Sequence, residues 1–316
     1  MSTVSPPRLA LAGDSSPGEV REANQDSFFL GYTPCGALAL VADGMGGHVS
    51  GELASRKARD ALAHALKNGS KYPPLAIARA VQRTNLDIFD HAAVHPGDHG
   101  MGTTLTLVLI DDHLALVGHV GDSRAYLIRD GEITQLTRDH SWVADRVRQG
   151  LLSSDEARRH QWRNIITNSV GTQPTVRLEL SALTLQPGDR LLLCTDGLSL
   201  LLPDELLLQI VLQTPLEETA RELIRRANER GSPDNVTALA VEVQEVTARP
   251  KAYTLPLETP VSVTLGEGAE GLGQVEAAFV YRGRSARLRR HPLWPYRWWL
   301  LGCALLTVLF VFFGFR

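Results

Sequence analysis

The sequence predicts an α+β fold in which a central β-sandwich of two mainly antiparallel sheets is flanked by helices. Short segments rich in Leu and Val, each bounded by Gly, Asp or Pro, recur along the first 246 residues and are typical of strands. Two segments with helical spacing of apolar residues follow the second strand, and a third lies near the end of these 246 residues. Many strands with few helices between them favour a sandwich with helices on its outer faces.

Two hairpin turns are predicted among these strands. Asp130-Gly131 separates "AYLIR" from "EITQL", and a two-residue turn of this type needs positive φ at both central residues. Asp111-Asp112 predicts a second hairpin. The strands are expected at 26–31, 37–42, 103–110, 114–121, 125–129, 177–185, 190–195 and 236–243.

The helices are predicted from apolar spacing and from their first residues. The segment 50–68 places Leu and Ala on one face, and 73–92 repeats that pattern with prolines in its first turn. The segment 217–229 is a third amphipathic helix.

Composition bounds the function classes. The chain has 316 residues, 44% of them hydrophobic, with a formal net charge of -3, so it can bury a large core and shows no preference for nucleic acid. Cys35, Cys194 and Cys303 are too widely spaced for a disulfide framework or a zinc knuckle, which favours a reducing compartment. The N-terminus has no secretory signal pattern.

The C-terminal region differs from the rest of the chain. Residues 277–316 contain no Asp or Glu, and residues 298–315 are an uncharged apolar run of 18 residues preceded by arginines and aromatic residues. Such a run predicts a membrane-spanning helix with the body of the protein on the cytoplasmic side, and a buried terminal core helix is the alternative. The expected organisation is a catalytic domain at 1–246, a linker at 247–293 that is arginine-rich at its end, and a transmembrane anchor at 294–316.

Five aspartates lie at the ends of the predicted strands. Any one of them has a simpler explanation, because Asp is common in turns. Together they would repel one another unless cations lay between them, and an oxygen-only ligand set is the kind that Mg²⁺ or Mn²⁺ prefers. The five residues are Asp26, Asp43, Asp122, Asp196 and Asp234.

Seven short motifs occur along the chain in the same order as in a known protein family, so a chance match is improbable. Together they resemble the metal-dependent protein phosphatases of the PPM, or type 2C, class, and most closely its bacterial branch. The resemblance covers about residues 21–243. The motifs are "REANQD", "DGMGGH", "MGTTL", "GHVGDSRAY", "TRDHS", "CTDGL" and "SPDNVT".

The resemblance implies a four-layer αββα fold, a cleft for two Mn²⁺ or Mg²⁺ ions, and hydrolysis of phosphoserine and phosphothreonine in proteins. It implies that Asp43 bridges both ions with the carbonyl of Gly44 as a further ligand, and that Asp196 and Asp234 hold one ion. Asp26 would act through water, Asp122 would bind a third ion, and Arg21 would bind the substrate phosphate. Asn235 and Gly197 complete motifs without an assigned role.

The sequence departs from part of the family pattern. Met45 stands where many animal members carry a histidine that is proposed to protonate the departing alcohol, and methionine cannot donate that proton. Water is then the expected donor, and His48 is a candidate only if it turns into the cleft. Gln25 stands where some members carry a second acid.

Further alternatives remain open at this point. Arg21 could instead form a surface ion pair with Glu22 or Asp26. The segment 141–174 is either a lid that helps to select substrates or a solvated helical pair. An inactive relative that binds phosphoproteins, or a phosphatase of another phosphoester, competes with the protein phosphatase. Expected partners are phosphoproteins, a serine/threonine kinase that shares those targets, and the membrane.

Overall fold

The computed structural model describes residues 7–47, 50–70, 73–246, 263–266 and 274–279. The strands are β1 (Arg8–Ser16), β2 (Asp26–Thr33), β3 (Gly36–Met45), β4 (Gly102–Thr103), β5 (Leu105–Asp111), β6 (Leu114–Val120), β7 (Arg124–Arg129), β8 (Glu132–Gln135), β9 (Leu178–Thr184), β10 (Arg190–Cys194), β11 (Val236–Glu245), β12 (Val263–Gly266) and β13 (Gln274–Phe279). The helices are α1 (Ser50–Lys67), α2 (Pro73–Val94), α3 (Trp142–Arg148), α4 (Ser154–Arg159), α5 (Asp196–Ser199), α6 (Asp204–Gln213) and α7 (Leu216–Asn228), with a 3₁₀ turn at Pro96–Asp98.

The strands form two antiparallel sheets. The first has the order β1-β11-β10-β7-β8, and the second has the order β12-β13-β9-β6-β5-β3-β2, with β4 paired to β3. Strand β11, the last one before residue 246, lies between β1 and β10. The predicted α+β sandwich is confirmed.

Alternation of side chains along β3 shows how the layers are built. Leu38, Leu40 and Ala42 pack against the cluster that contains α1 and α2. Ala37, Ala39 and Val41 face the other way, into the cluster between the two sheets. Helices α5, α6 and α7 cover the outer face of the first sheet through a third cluster, so the order of layers is helix, sheet, sheet, helix.

The hairpin predicted at Asp130-Gly131 is confirmed, since Asp130 has φ 53° and Gly131 has φ 80°. The second predicted hairpin is present but lies one residue later. Asp111 pairs with Leu114, so the turn residues are Asp112 and His113, and Asp112 takes the positive φ of 66°. Asp111 remains a strand residue because its backbone continues the ladder.

Several elements were not predicted. The first strand, β1, has one short apolar run, 9–12, followed by a glycine and polar residues, yet it pairs with β11 along its whole length. Helices α5 and α6 were also missed, since each is ten residues or shorter, whereas α3 and α4 form the helical pair that was one interpretation of 141–174. The predicted strand at 103–110 is two strands, β4 and β5, because Thr104 interrupts it.

Part of the predicted linker contributes two strands. Strands β12 and β13 pair with each other, and β13 pairs with β9 at the edge of the second sheet. The predicted anchor at 294–316 lies outside the described residues. Within the described part of the chain, no helix is both long enough and apolar enough to cross a bilayer.

Candidate active site

Four of the five predicted aspartates lie at or near the ends of strands, two in each sheet. Asp26 and Asp43 are directly opposite each other in the β2–β3 ladder of the second sheet. In the first sheet, Asp196 follows β10 as the first residue of α5, and Asp234 lies two residues before β11. Because β10 and β11 are paired, Asp196 and Asp234 lie at the same end of the first sheet, and hydrogen bonds from Thr195 and Thr237 to Asp26 join that end to the second sheet.

Asp26 is buried and held by two threonines. Its Oδ2 accepts hydrogen bonds from Thr195 Oγ1 at 2.8 Å and from Thr237 Oγ1 at 2.6 Å. Its Oδ1 is buried with no hydrogen-bond partner among the described residues. Burial, and then the charges of Asp196 and Asp234, raise the pKa of Asp26 to about 7 against the two threonine hydrogen bonds.

Asp43 is held in place through its backbone. Its amide donates to Thr104 Oγ1 at 2.9 Å, and its carbonyl accepts from Thr103 Oγ1 and from the Thr104 amide, both at 2.9 Å. Burial, and then the neighbouring carboxylates led by Asp26 and Asp196, raise the pKa of Asp43 well above its usual range. The strand runs two residues past Asp43, so this residue lies inside β3 instead of ending it.

Asp196 and Asp122 complete the cluster. Burial, and then Asp234, raise the pKa of Asp196 to about 6, while a hydrogen bond with the Asp43 side chain opposes the rise. Asp122 is buried in the turn between β6 and β7, and its Oδ1 has no hydrogen-bond partner among the described residues. Burial, and then the charge of Asp196, raise the pKa of Asp122 well above its usual range.

Close backbone packing explains the glycine after Asp43. A Cβ on Gly44 would lie 2.1 Å from the carbonyl oxygen of Gly51 in α1 and 2.7 Å from that of Gln25. A Cβ on Gly51 would in turn lie 2.8 Å from the Gly44 carbonyl oxygen. Gly44 is therefore required because α1 and β3 meet backbone to backbone. Two residues on, Gly46 has φ 130°, a conformation that side chains rarely adopt.

Asn235, which had no assigned role, connects three segments. Its Oδ1 accepts from the Gln25 amide at 2.8 Å, and its Nδ2 donates to the carbonyls of Pro17 and Ala23 at 3.0 and 2.9 Å. These bonds fix the loop that carries Arg21 beside the start of β11. Gly197 also packs here, because a Cβ on it would lie 2.1 Å from the Asn235 carbonyl oxygen.

Arg21 lies at the exposed rim of the cluster. Its Nη2 donates to Asp234 Oδ2 at 3.0 Å, and the two side chains are 53% and 41% exposed. The ion pair predicted as an alternative is present, but its partner is Asp234 instead of Glu22 or Asp26. The guanidinium therefore reaches the carboxylate cluster from solvent.

Three further residues had open roles in the sequence analysis: Met45, His48 and Gln25. Met45 is half-buried and pairs with Gly102 in the β3–β4 ladder. His48 lies outside the described residues. The Gln25 carbonyl accepts from the Gly44 amide at 3.2 Å and from Ser55 Oγ at 2.6 Å. This residue, which directly precedes β2, therefore contacts both β3 and α1.

A cavity of about 510 Å³ lies beside the carboxylates. The segment 141–174 contributes helices α3 and α4 to its wall, so the helical pair of the second interpretation is present, while a lid function stays a prediction. The wall carries both signs of charge, from Asp122, Asp196, Arg138, Arg148, Arg158 and Arg163.

Comparisons with known proteins agree with this geometry. The sequence profile of the protein phosphatase 2C family matches residues 19–240. The serine/threonine protein phosphatase PstP of Mycobacterium tuberculosis strain H37Rv is 39% identical over 236 residues, which are 74% of this chain and 45% of that protein. The chain thus spans less than half the length of that relative. Protein phosphatase PhpP of Streptococcus pneumoniae is 35% identical over 234 residues, 72% of this chain and 95% of that protein.

Solved structures share the fold as well as the sequence. A crystal structure of the catalytic domain of the serine/threonine protein phosphatase PstP in complex with two manganese ions is 36% identical, with a TM-score of 0.67. The match covers 75% of this chain and 99% of that one. The family profile spans most of the chain, and it includes all of the predicted site residues. This chain belongs to the protein phosphatase 2C family.

Proposed function

We propose that this protein is a metal-dependent serine/threonine phosphatase that hydrolyses phosphoserine and phosphothreonine in proteins. The observation that carries the proposal is the meeting of Asp26 and Asp43 from one sheet with Asp196 and Asp234 from the other. Buried like charges are costly, and a fold that keeps them together needs a compensating use. Family membership and the names of the relatives support the same activity.

Two Mn²⁺ or Mg²⁺ ions fit this cluster, and a third fits beside Asp122. The donors are all oxygens, and the buried Oδ1 atoms of Asp26 and Asp122 are without hydrogen bonds among the described residues, as expected for groups that face hard cations. We assign Asp43, the Gly44 carbonyl, Asp196 and Asp234 as direct ligands, Asp26 as a ligand through water, and Asp122 as the third-ion ligand. When bound, such ions neutralise phosphate charge and activate water for attack near neutral pH.

The protein's own groups then bind and orient the substrate. Arg21 can reach across the rim, and its planar guanidinium can bind two phosphate oxygens once it leaves Asp234. Asp26 is fixed by Thr195 and Thr237 through Oδ2, which leaves Oδ1 free to accept a proton from a water molecule. No nucleophilic side chain is needed, and Cys194 is buried with its pKa raised to about 12 by that burial.

The departing alcohol needs a proton, and Met45 cannot supply it. We assign this proton to a water molecule of the site. A Met45→His variant would then offer a second proton donor, although turnover does not need one.

The location and partners are proposals from the sequence. Residues 298–315 support a single membrane-spanning helix that tethers a cytoplasmic catalytic domain. A chain ending near residue 246 should then be released from the membrane fraction while full activity is kept, and a full chain that stays in the soluble fraction without detergent would argue against the tether. A serine/threonine kinase acting on the same phosphoproteins is the expected partner.

Phosphate release from phosphothreonine peptides tests the activity. The native protein should be active with Mn²⁺ and inactive with EDTA, and Asp43→Asn should reduce turnover by at least ~100-fold, since it removes a shared ligand. Asp60→Asn is the matched control, because Asp60 is exposed on α1 and contacts Arg59 away from the cluster. Full activity of Asp43→Asn would refute the metal assignment.

Parallel substrates separate the alternatives. An inactive phosphoprotein-binding relative would bind the same peptides without releasing phosphate. A phosphatase of another phosphoester would hydrolyse a small phosphorylated metabolite much faster than any phosphopeptide.

A further inference from the structure

A second group of metal-ligating side chains lies outside the carboxylate cluster. Among the described residues, His91, His95 and Asp98 offer one ligand atom each, all within 4.8 Å of one another. His91 lies in the last turn of α2, His95 is the first residue after that helix, and Asp98 ends the 3₁₀ turn that follows. None of the three was singled out by the sequence motifs.

The backbone already selects the tautomer of one of the two histidines. His95 Nδ1 lies 2.9 Å from the His91 carbonyl oxygen, so a proton on Nδ1 bonds to the helix and Nε2 is left with a lone pair. Metal-binding histidines commonly donate their second nitrogen to a backbone carbonyl in this way. The two rings are stacked, with centroids 4.0 Å apart and an angle of 17° between their planes.

The carboxylate is oriented from the other side. Asp98 Oδ1 accepts from Ser50 Oγ at 2.6 Å, which leaves Oδ2 facing His91 Nε2 at 2.9 Å. A cation would replace the proton shared between Oδ2 and Nε2. His95 is exposed, so its ring has room for the rotation that brings all ligand atoms to the ~3.4 Å spacing of a four-coordinate zinc ion.

We propose that His91, His95 and Asp98 form a separate site for a transition-metal ion of the zinc type, with water as the fourth ligand. Two imidazoles and one carboxylate suit Zn²⁺, whereas the oxygen-only cluster suits Mn²⁺ or Mg²⁺. The two sites therefore select different ions by their donor atoms.

The position of this zinc site links it to the active-site loop. Ser50, which orients Asp98, is the first residue of α1, and its amide donates to the Gly47 carbonyl at 2.9 Å. The Asp98 carbonyl accepts from the Met101 amide, and the next two residues form β4, which pairs with Gly44 and Met45. Bound zinc fixes both ends of the loop that follows Asp43.

Cobalt(II) absorption tests the zinc site without using activity. Tag-free full-length protein with its carboxylate cluster saturated by Mn²⁺ should bind one equivalent of Co²⁺ with the intense visible bands of four-coordinate nitrogen and oxygen ligation, and Zn²⁺ should displace it. His95→Ala removes an exposed ligand and should weaken Co²⁺ binding by at least ~100-fold. The control His64→Ala removes an exposed histidine of α1 and should leave the affinity unchanged.

A second variant covers the other side of the zinc site. Asp98→Asn keeps the size of the side chain and should also abolish the four-coordinate spectrum, with circular dichroism showing an intact fold. Absence of that spectrum in the native protein, or its persistence in His95→Ala, would overturn the proposal.

Discussion

The carboxylates of the active site and those of helix α7 are in opposite surroundings. Asp26 is buried among other acids, which raises its pKa to about 7. Glu222 on α7 accepts hydrogen bonds from Arg225 and Arg226, and these bonds lower its pKa to about 2. The helix places opposite charges at spacings of three and four residues, whereas the strand ends of the two sheets bring like charges together.

This difference separates residues kept for stability from residues kept for chemistry. On α7, Glu222 has two cations from the same helix, and these ion pairs contribute a little to folding. In the aspartate cluster, repulsion between the carboxylates destabilises the folded protein without metal, and a divalent cation would remove that repulsion. The same substitution, carboxylate to amide, should therefore have opposite effects in the two places.

The largest expected effect is on Asp43. In Asp43→Asn, activity with phosphothreonine peptide should be lost, while the metal-free protein at neutral pH should become more stable, by about 1–3 kcal/mol, because one of the buried like charges is gone. Urea unfolding in EDTA measures the stability. A variant less stable than the native protein under these conditions would show that the cluster is not under electrostatic stress.

Metal-free protein should also lose stability as the pH rises. The pKa of Asp26 is raised from 3.8 to about 7, so between these values the folded protein keeps a proton that the unfolded chain releases. The free energy of unfolding then falls with rising pH, for this group by up to about 4 kcal/mol.

Urea unfolding in EDTA at about pH 5 and about pH 7.5 measures this slope. Asp26→Asn should flatten it, because the amide does not titrate and can still accept from both threonines. Saturating Mn²⁺ should flatten it as well. An unchanged slope in Asp26→Asn would assign the pH dependence to other groups.

A smaller effect is expected from the two threonines that hold Asp26. Thr195→Val and Thr237→Val each remove one hydrogen bond of 2.8 or 2.6 Å to Oδ2 and should raise the Mn²⁺ concentration needed for half-maximal activity by about 10-fold. Turnover at saturating Mn²⁺ should change less. The control is Thr134→Val, because Thr134 is exposed and lies on β8, at the edge of the first sheet.

The smallest effect is expected on α7. Glu222→Gln removes the shared partner of two arginines and should lower the free energy of unfolding by about 0.5–1 kcal/mol, with no change in activity. The loss should shrink in high salt, where surface charges are screened. A salt-independent loss would indicate a packing role for the Glu222 side chain.

The sequence predicted the parts of the fold that depend on neighbouring residues. The Asp130-Gly131 turn follows from two residues, and the strand that carries Asp43 follows from a continuous apolar run. Strand β1 could not be predicted in this way, because it is stabilised by its pairing with β11 more than two hundred residues later. Short helices such as α5 depend in the same way on the layers around them.

The candidate site shows the same division. The acids could be predicted because each lies in a recognisable motif. Thr195 and Thr237 lie within those motifs too, without any sign of their shared target. That target, Asp26 Oδ2, is 169 and 211 residues away along the chain. The Arg21–Asp234 contact and the approach of Gly44 to Gly51 likewise depend on distant segments, which a linear pattern does not encode.

The pairing of β1 with β11 has a consequence for the growing chain on the ribosome. Strand β11 is an interior strand of its sheet, next to β1. It carries Thr237, which donates to Asp26, and it begins two residues after Asp234. Until this strand has been synthesised, β1 has no partner in the sheet and Asp26 lacks one of its two hydroxyl donors. The carboxylate cluster is therefore expected to assemble only after β11 has left the ribosome, when the first sheet can close as one unit.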